Sequence, residues 1–374
     1  MSNSNNKKCL LSICDISSTR YGSFEEFLVL LTEKLSANNF QHIVVFRDRP
    51  IASVEEALLN HGAKIEVFKP FTSSILNFLS LYSLFKTIKP DIVHFHFYPI
   101  YSIVNYLYIF FDIKIVYTDH MGGKKSNNTF KRLIRRIYYY TNFMLFNAGI
   151  DRIICVSEFV KRKYAQEYGI NNKKLVVIYN GVNVAKFCTK DNTVAIRKAY
   201  SLKSEPLIAC IGLRRDKGPH YLIKAAPLIL KKVPSAKFLF IGDGDCKKNL
   251  ESMIETFNIK DRVIFMGKVL DLSDIYSISS VVVIPSIFEE AFCFVAAEAM
   301  ACKSPVVAFD SGAIKDVLYD KNYIVSADYN LLASKVVECL KKGTDIEAAR
   351  NHVKSNFSLE SNVVTHLEMY DSLL

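Results

Sequence analysis

Short apolar, β-branched runs alternate with helix-length amphipathic segments along most of this chain, and the alternation runs twice. In the first pass strands are expected at Cys9–Cys14, His42–Phe46, Lys64–Val67, Ile92–His96, Lys114–Thr118, Arg152–Val156 and Leu175–Ile178. Helices are expected between them, at Phe24–Ala37, Val54–Asn60, Leu76–Thr87, Lys131–Phe146 and Glu158–Tyr168. The rhythm breaks over residues 181–203, which are polar and irregular, and then restarts. The second pass reads as strands at Leu207–Ile211, Lys237–Ile241, Val263–Phe265, Val281–Pro285 and Pro305–Phe309. Its helices are Tyr221–Lys231, Lys247–Thr256, Ser273–Ser279, Phe294–Ala301 and Ile314–Leu318. Near-continuous apolar strands separated by helices call for parallel sheets covered on both faces. The expectation is an α/β protein of two doubly wound units, residues 1–185 and 186–356. Residues 357–374 form a closing helix with apolar residues at helical spacing, Val363, Val364, Leu367, Tyr370 and Leu373.

The 374 residues are 50% hydrophobic and 23% charged, a globular composition long enough for two cores. Charge is unevenly spread. Of the net +11, residues 1–185 carry +9, and Lys124, Lys125, Lys131, Arg132, Arg135 and Arg136 occur between His120 and Ile150 without an acid. A basic first half suits an anionic partner (phosphates, nucleic acid or a membrane surface), or is simply a solvated face. No nucleic-acid motif is present, which argues against DNA or RNA. The segment TFKRLIRRIYYYTNFMLF, 129–146, mixes cations with large apolar residues. It reads either as a helix lying on an anionic membrane or as an ordinary helix with one basic and one core face.

Nine scattered cysteines, with no C-x-x-C pair and no Cys/His cluster, are read as reduced thiols of a cytoplasmic protein, with no metal site. The apolar stretch after Lys7-Lys8 is short and soon meets Asp15, unlike a secretory leader. Residues 92–111 lack Asp, Glu, Lys and Arg but hold His94, His96, Pro99 and Asn105. They are read as a buried strand, a turn at Pro99 and a buried helix rather than a membrane span. His94 and His96 are expected to be structural.

Chemistry is expected at the carboxyl ends of the strands, where doubly wound sheets bind ligands. Three loops qualify. In PSIFEEAFCFVAAEAMAC, 285–302, Glu298 interrupts an Ala-rich apolar helix. A carboxylate there is costly unless satisfied. Ribose hydroxyls would satisfy it, while the alternative is a glutamate on a solvated side. The helix start near Phe292 offers free N–H groups to an anion. In CIGLRRDKGPHYLIKAA, 210–226, Arg214, Arg215 and Lys217 crowd a strand end, either for a diphosphate or as solvated loop charge. In IGDGD, 241–245, glycine permits close backbone approach, although Gly-Asp-Gly is also ordinary turn chemistry. Asp243 and Asp245 match a D-x-D pattern, but no third acidic ligand is evident. His120 follows a strand end and precedes Gly122-Gly123.

In order and spacing these motifs resemble the retaining family 4 glycosyltransferases, which have the GT-B fold. The resemblance runs through PDIVHFH (90–96), YTDH (117–120), DRIICVSE (151–158) and IYNGVN (178–183). It continues through GLRRDKG (212–218), GDG (242–244), FMGKV (265–269), the paired-glutamate segment and SPVVA (304–308). It implies two Rossmann-like domains facing across a cleft. The first would be acceptor-binding, the second would bind the nucleotide sugar, and the last helix would cross back onto the first domain. By resemblance Lys217 holds the donor diphosphate with Arg214 as helper, Glu298 binds the donor ribose, and Glu290 lies near the transferred sugar. The backbone of Phe292, Cys293 and Phe294 contacts sugar and phosphate. His120 faces the transferred sugar, and the loop holding Gly22 approaches donor and acceptor. Gly244 belongs to the donor side.

The implied reaction moves a hexosyl or N-acetylhexosaminyl group from a UDP- or GDP-sugar to a hydroxyl of a carbohydrate, lipid-linked or small-molecule acceptor. It would proceed with retention and without a metal or other cofactor. Surface polysaccharide or glycolipid assembly, on the inner face of the cell membrane, is the expected setting. The rivals are a nucleotide-sugar epimerase of the same fold, a phosphorylase, and a non-catalytic nucleotide-sugar binder. Several positions depart from the pattern. Gly212 stands where Arg or Asn is usual, Asn183 replaces Asp, Gly312-Ala313 replaces Gly-Gly, and Asp316 replaces Glu. Cys293 replaces a Gly beside the donor.

Overall fold

The computed structural model describes residues 7–70, 74–120, 129–170, 173–269 and 271–374. The chain divides into two compact units. The first holds the described residues up to Gly181 together with Leu359–Leu374, and the second holds Val182–Ser358.

The sheet of the first unit contains β1 (Lys8–Cys14), β2 (Phe40–Phe46), β3 (Lys64–Val67), β4 (Ile92–His96), β5 (Lys114–Asp119), β6 (Ile150–Cys155) and β7 (Leu175–Val177). Their order is β3-β2-β1-β4-β5-β6-β7, with every pair parallel. Register brings Cys14 opposite His96, and His96 opposite Thr118, so β1, β4 and β5 end at one level. The chain reverses its direction of winding between β1 and β4, and crevices at such a point receive ligands. Leu10, Val44, Ile92, Val116 and Ile154 pack against Leu28, Leu31 and Leu35 of the helix Ser23–Ala37. Leu359, Val363 and Tyr370 of the last helix, Leu359–Asp371, join the same core.

The second unit repeats the plan. It contains β8 (Leu207–Ile211), β9 (Lys237–Ile241), β10 (Val263–Gly267), β11 (Val281–Ile284), β12 (Val306–Phe309) and β13 (Ile324–Val325). The order is β10-β9-β8-β11-β12-β13, again all parallel. Here the reversal falls between β8 and β11, the strands that lead into the two most charged motifs. Its core joins Cys210, Phe238, Phe240, Val283 and Phe309 to the helices Pro219–Lys232 and Tyr329–Lys342.

Two expectations change. The buried helix after Pro99 is a short 3-10 helix, Ile103–Ile109, and only its Val104, Asn105 and Leu107 are buried. Tyr108 and Ile109 at its end, and Phe110 at its C-cap, are exposed, because the element packs on the unit along one side and stops after about two turns. Among the described residues no helix is long and apolar enough to cross a membrane. The basic helix runs Thr129–Phe146 and faces outward, with Phe130, Leu133, Ile134, Ile137, Tyr138 and Met144 all more than half exposed. Its other side packs on the unit, with Tyr139 stacked on Tyr168 at 3.9 Å and Phe143 and Phe146 against Tyr101 and Tyr106, but no described side chain of the helix is fully buried. Lys124 and Lys125 lie outside the described residues. All nine cysteines are free thiols.

Candidate active site

In the second unit the loops after β8 and β11 are joined through their backbones. The loop after β8 passes through a 3-10 turn, Arg215–Lys217, before the helix Pro219–Lys232. The Asp216 carbonyl accepts hydrogen bonds from the Ile287 and Phe288 amides at 3.0 and 3.1 Å. Gly218 adopts φ 70°, and a Cβ there would collide with the Pro285 carbonyl oxygen. Glycine is therefore required both by the backbone angle and by the contact.

This joint brings two of the sequence-derived residues together. Lys217 Nζ lies 2.6 Å from Glu290 Oε1. Both are largely shielded, with side-chain exposures of 28% and 11%. The pair sets a cation beside a carboxylate, and an incoming polyanion would compete with Glu290 for that cation. Glu290 is held from behind. Its carbonyl accepts from the Ala313 amide at 2.8 Å, and a Cβ on Gly312, at φ 62°, would collide with its backbone. Gly312 and Ala313 entered the sequence comparison only as departures, and their packing role needed the fold.

Glu298 resolves in favour of burial. It is 6% exposed, inside the helix Phe294–Ala301, which rules out the solvated alternative. Tyr276, fully buried on the neighbouring helix Leu272–Ile278, donates its hydroxyl to Glu298 Oε2 at 2.9 Å. Burial, and then the Glu298 charge, raise the Tyr276 hydroxyl well above its ordinary value, so it stays protonated and able to donate. Sequence reading missed Tyr276. Its partner is 22 residues away, and a lone tyrosine in a short helix of mixed polarity carries no mark of a polar task.

The remaining residues on this side have mixed placements. Arg214 turns to Asp216 through two bonds of 3.1 Å and is largely exposed. Gly244 packs so tightly on the Leu213–Arg214 backbone that a Cβ would collide with it. Asp245 accepts from the Arg215 amide at 3.0 Å, while Asp243 faces Lys268 at 3.4 Å. The D-x-D carboxylates thus serve different partners. Among the described residues no three His, Cys, Asp or Glu side chains are grouped as a metal would need. Phe292 is a core anchor, edge-on to Phe294 and Phe357 at 5.2 and 5.4 Å. Cys293 caps the following helix at φ 77°, ψ 70°, a left-handed conformation that a side chain disfavours. Burial, then the Glu290 charge, push its thiol up to about 12, so it stays neutral.

Gly22 and His120 belong to the first unit. The Gly22 amide donates to Glu25 Oε2 at 3.0 Å, and Ser18 donates to Glu25 Oε1 at 2.8 Å. The buried Glu25 thereby fixes the loop after β1. His120 follows β5. Phe97 stacks on its ring at 4.2 Å, and Phe24 meets it edge-on at 5.6 Å. Its Nε2 lies 3.2 Å from His96 Nδ1. Burial lowers His120 to about 3, so it is neutral at physiological pH. His94 is structural, bonded to Tyr370 Oη at 2.6 Å and Thr118 Oγ1 at 2.7 Å.

Comparison with known proteins agrees with this architecture. The family model described as "Glycosyl transferases group 1" matches residues 192–356, and that described as "Glycosyltransferase Family 4" matches residues 25–186. An uncharacterised glycosyltransferase of Methanocaldococcus jannaschii is 33% identical over 174 residues, covering 45% of this chain and 44% of its own. The UDP-Gal:alpha-D-GlcNAc-diphosphoundecaprenol alpha-1,3-galactosyltransferase of Escherichia coli is 28% identical over 218 residues, 56% of each chain. The chain thus spans about half the length of the curated relatives it matches. Among solved structures, a glycosyltransferase from Rickettsia africae superimposes with a TM-score of 0.81 at 22% identity, over 98% of this chain and 99% of its own. HepE of Anabaena, in complex with UDP, gives 0.79 at 19% identity, over 98% and 100%. The fold is GT-B, with two Rossmann-like domains.

Proposed function

Since this chain belongs to the group 1, family 4 glycosyltransferases, we propose that it transfers a sugar from a nucleoside-diphosphate sugar to a hydroxyl acceptor, with retention and without a metal. The observation that carries the proposal is the pairing of an ion pair, Lys217–Glu290, with a buried carboxylate, Glu298, on loops and a helix that follow β8 and β11. Lys217 leaves Glu290 for the donor diphosphate and stabilises the charge that develops on it as the glycosidic bond breaks. The N-terminus of the helix Phe294–Ala301 adds unpaired backbone N–H groups to the same task. Glu298, oriented by Tyr276, accepts from ribose hydroxyls. Glu290, released from Lys217, and His120 are assigned to the sugar. Arg214 assists once freed from Asp216. Neighbouring structures contain UDP and UDP-glucose, and relatives are named for galactosyl and N-acetylglucosaminyl transfer, so a UDP-hexose or UDP-N-acetylhexosamine is the favoured donor.

The acceptor is assigned to surface polysaccharide or glycolipid assembly, at the cytoplasmic face of a membrane. Support comes from the outward apolar stripe of Thr129–Phe146 and its flanking Lys131 and Arg136, which suit an anionic bilayer. The experiment is transfer from UDP- and GDP-sugars, with EDTA present, to lipid extract in phosphatidylglycerol vesicles, with the product anomer read by NMR. Product of retained configuration, absent in Lys217→Ala, supports the reading. Inverted product, or sugar interconversion without acceptor, overturns it.

A further inference from the structure

The sugar-facing role given to His120 leaves open whether it offers a proton or takes one. Proton accounting around the buried histidines decides this. Thr32 Oγ1 donates its one proton to the Leu28 carbonyl at 2.7 Å, so its 2.7 Å contact with His42 Nδ1 is an N–H donated by His42. His366 Nδ1 lies 2.8 Å from the Asn362 carbonyl and must likewise carry a proton. His96 and His120 are constrained in a similar way. The 3.2 Å contact between His96 Nδ1 and His120 Nε2 needs one N–H and one lone pair. His96 is fully buried, and its other nitrogen, Nε2, has no hydrogen-bond partner. If the His96 proton sat on Nε2, an N–H donor would be buried unpaired. If it sits on Nδ1, only a lone pair is unsatisfied. Among backbone groups, orphaned buried N–H donors are rarer than under-satisfied acceptors, and the same preference carried to the imidazole favours the proton on Nδ1.

We propose that His96 is a positioning residue that donates Nδ1–H to His120 Nε2. His120 is thereby held as the Nδ1–H tautomer, presenting a hydrogen-bond donor, not a base, to a sugar oxygen. Nothing else competes for that nitrogen: among the described residues His120 Nδ1 makes no hydrogen bond. The ring is held in place on both sides. Phe97, whose ring lies flat against it at an angle of 16°, adopts φ 58°, a region that a bulky residue rarely enters. Phe24 closes the edge of both histidines, at 5.2 Å from His96 and 5.6 Å from His120. Burial holds both imidazoles neutral, which a single-proton tautomer requires.

The inference rests on His120 acting in the reaction, but its test does not. Nitrogen-15 histidine labelling of the full chain at neutral pH, without ligand, reads each ring nitrogen directly. The expected spectrum has His120 protonated at Nδ1 and bare at Nε2. His96→Asn, whose amide replaces Nδ1–H, keeps that pattern. His96→Leu releases His120 to the Nε2–H form that imidazole ordinarily prefers. A wild-type His120 protonated at Nε2 overturns the proposal, as does a His96→Leu spectrum unchanged from wild type. His120→Ala in the transfer assay judges the parent reading separately. Full activity there removes His120 from the reaction and leaves the tautomer result standing.

Discussion

The two units share a fold but bury their polar groups differently. The second unit gathers acids and cations on loops: Lys217 meets Glu290 and Asp216 stitches two loops, while Glu298 is answered by a phenol. The first unit buries histidines. His42, His94, His96 and His366 are all inside it, with His120 beside them, drawn from β2, β4, the loop after β5 and the last helix. Charged groups near a surface can trade a protein partner for a ligand. Neutral imidazoles in a core can only hold tautomers, or ionise at the expense of the fold. The comparison therefore separates a unit built to exchange partners from one built to fix proton positions.

The largest expected effect breaks the symmetry between the units. Burial lowers His42 to about 3 and His366 to about 4, and holds His94 and His96 well below the ordinary histidine value. The unfolded chain therefore binds more protons as pH falls below about 6.5, and stability is full above that value and lost toward 3. Each buried histidine contributes a slope of up to about 1.4 kcal/mol per pH unit in that window. The second unit has only the part-buried His220 and His352. Hydrogen exchange followed from pH 7 to 4 should show peptides of β1, β4 and β5 losing protection before those of β8 and β11. Simultaneous loss would contradict the contrast.

Next in size is Gly312→Ala, which forces a side chain into the Glu290 backbone. It should cost about 2–4 kcal/mol in chemical denaturation and disturb Glu290. Tyr276→Phe removes the donor to Glu298 and should cost about 1–3 kcal/mol. It should also weaken nucleotide binding, because the carboxylate loses its fixed orientation. The smallest effect has the opposite sign. Cys293→Gly relieves a left-handed side chain and should stabilise by about 0.5–1 kcal/mol, read as a raised thermal midpoint.

The same contrast explains what the sequence made legible. The strands were readable because parallel strands buried on both faces are written as apolar runs, and β-branched residues mark them. Glu298 stood out because a carboxylate inside an apolar helix is costly and therefore conspicuous, and Lys217 because it crowds a strand end with Arg214 and Arg215, while Glu290 was reached through the family resemblance. Tyr276, Gly312, Glu25 and the joining of the β8 and β11 loops were not legible, because each depends on pairing across the fold rather than along the chain. The histidine network is the extreme case: His94 meets Tyr370 across 276 residues. The outward face of Thr129–Phe146 was ambiguous for another reason. Helical periodicity gives an apolar stripe but not the direction it faces.

The most direct test of the central claim is calorimetric titration of UDP into the wild-type chain, Lys217→Ala and Glu298→Gln. The account predicts saturable wild-type binding without divalent metal, weakened at least about tenfold by either substitution, as expected when one charged hydrogen-bond partner is removed. Equal affinity in all three proteins, each shown to be folded, would place the nucleotide elsewhere and contradict the account.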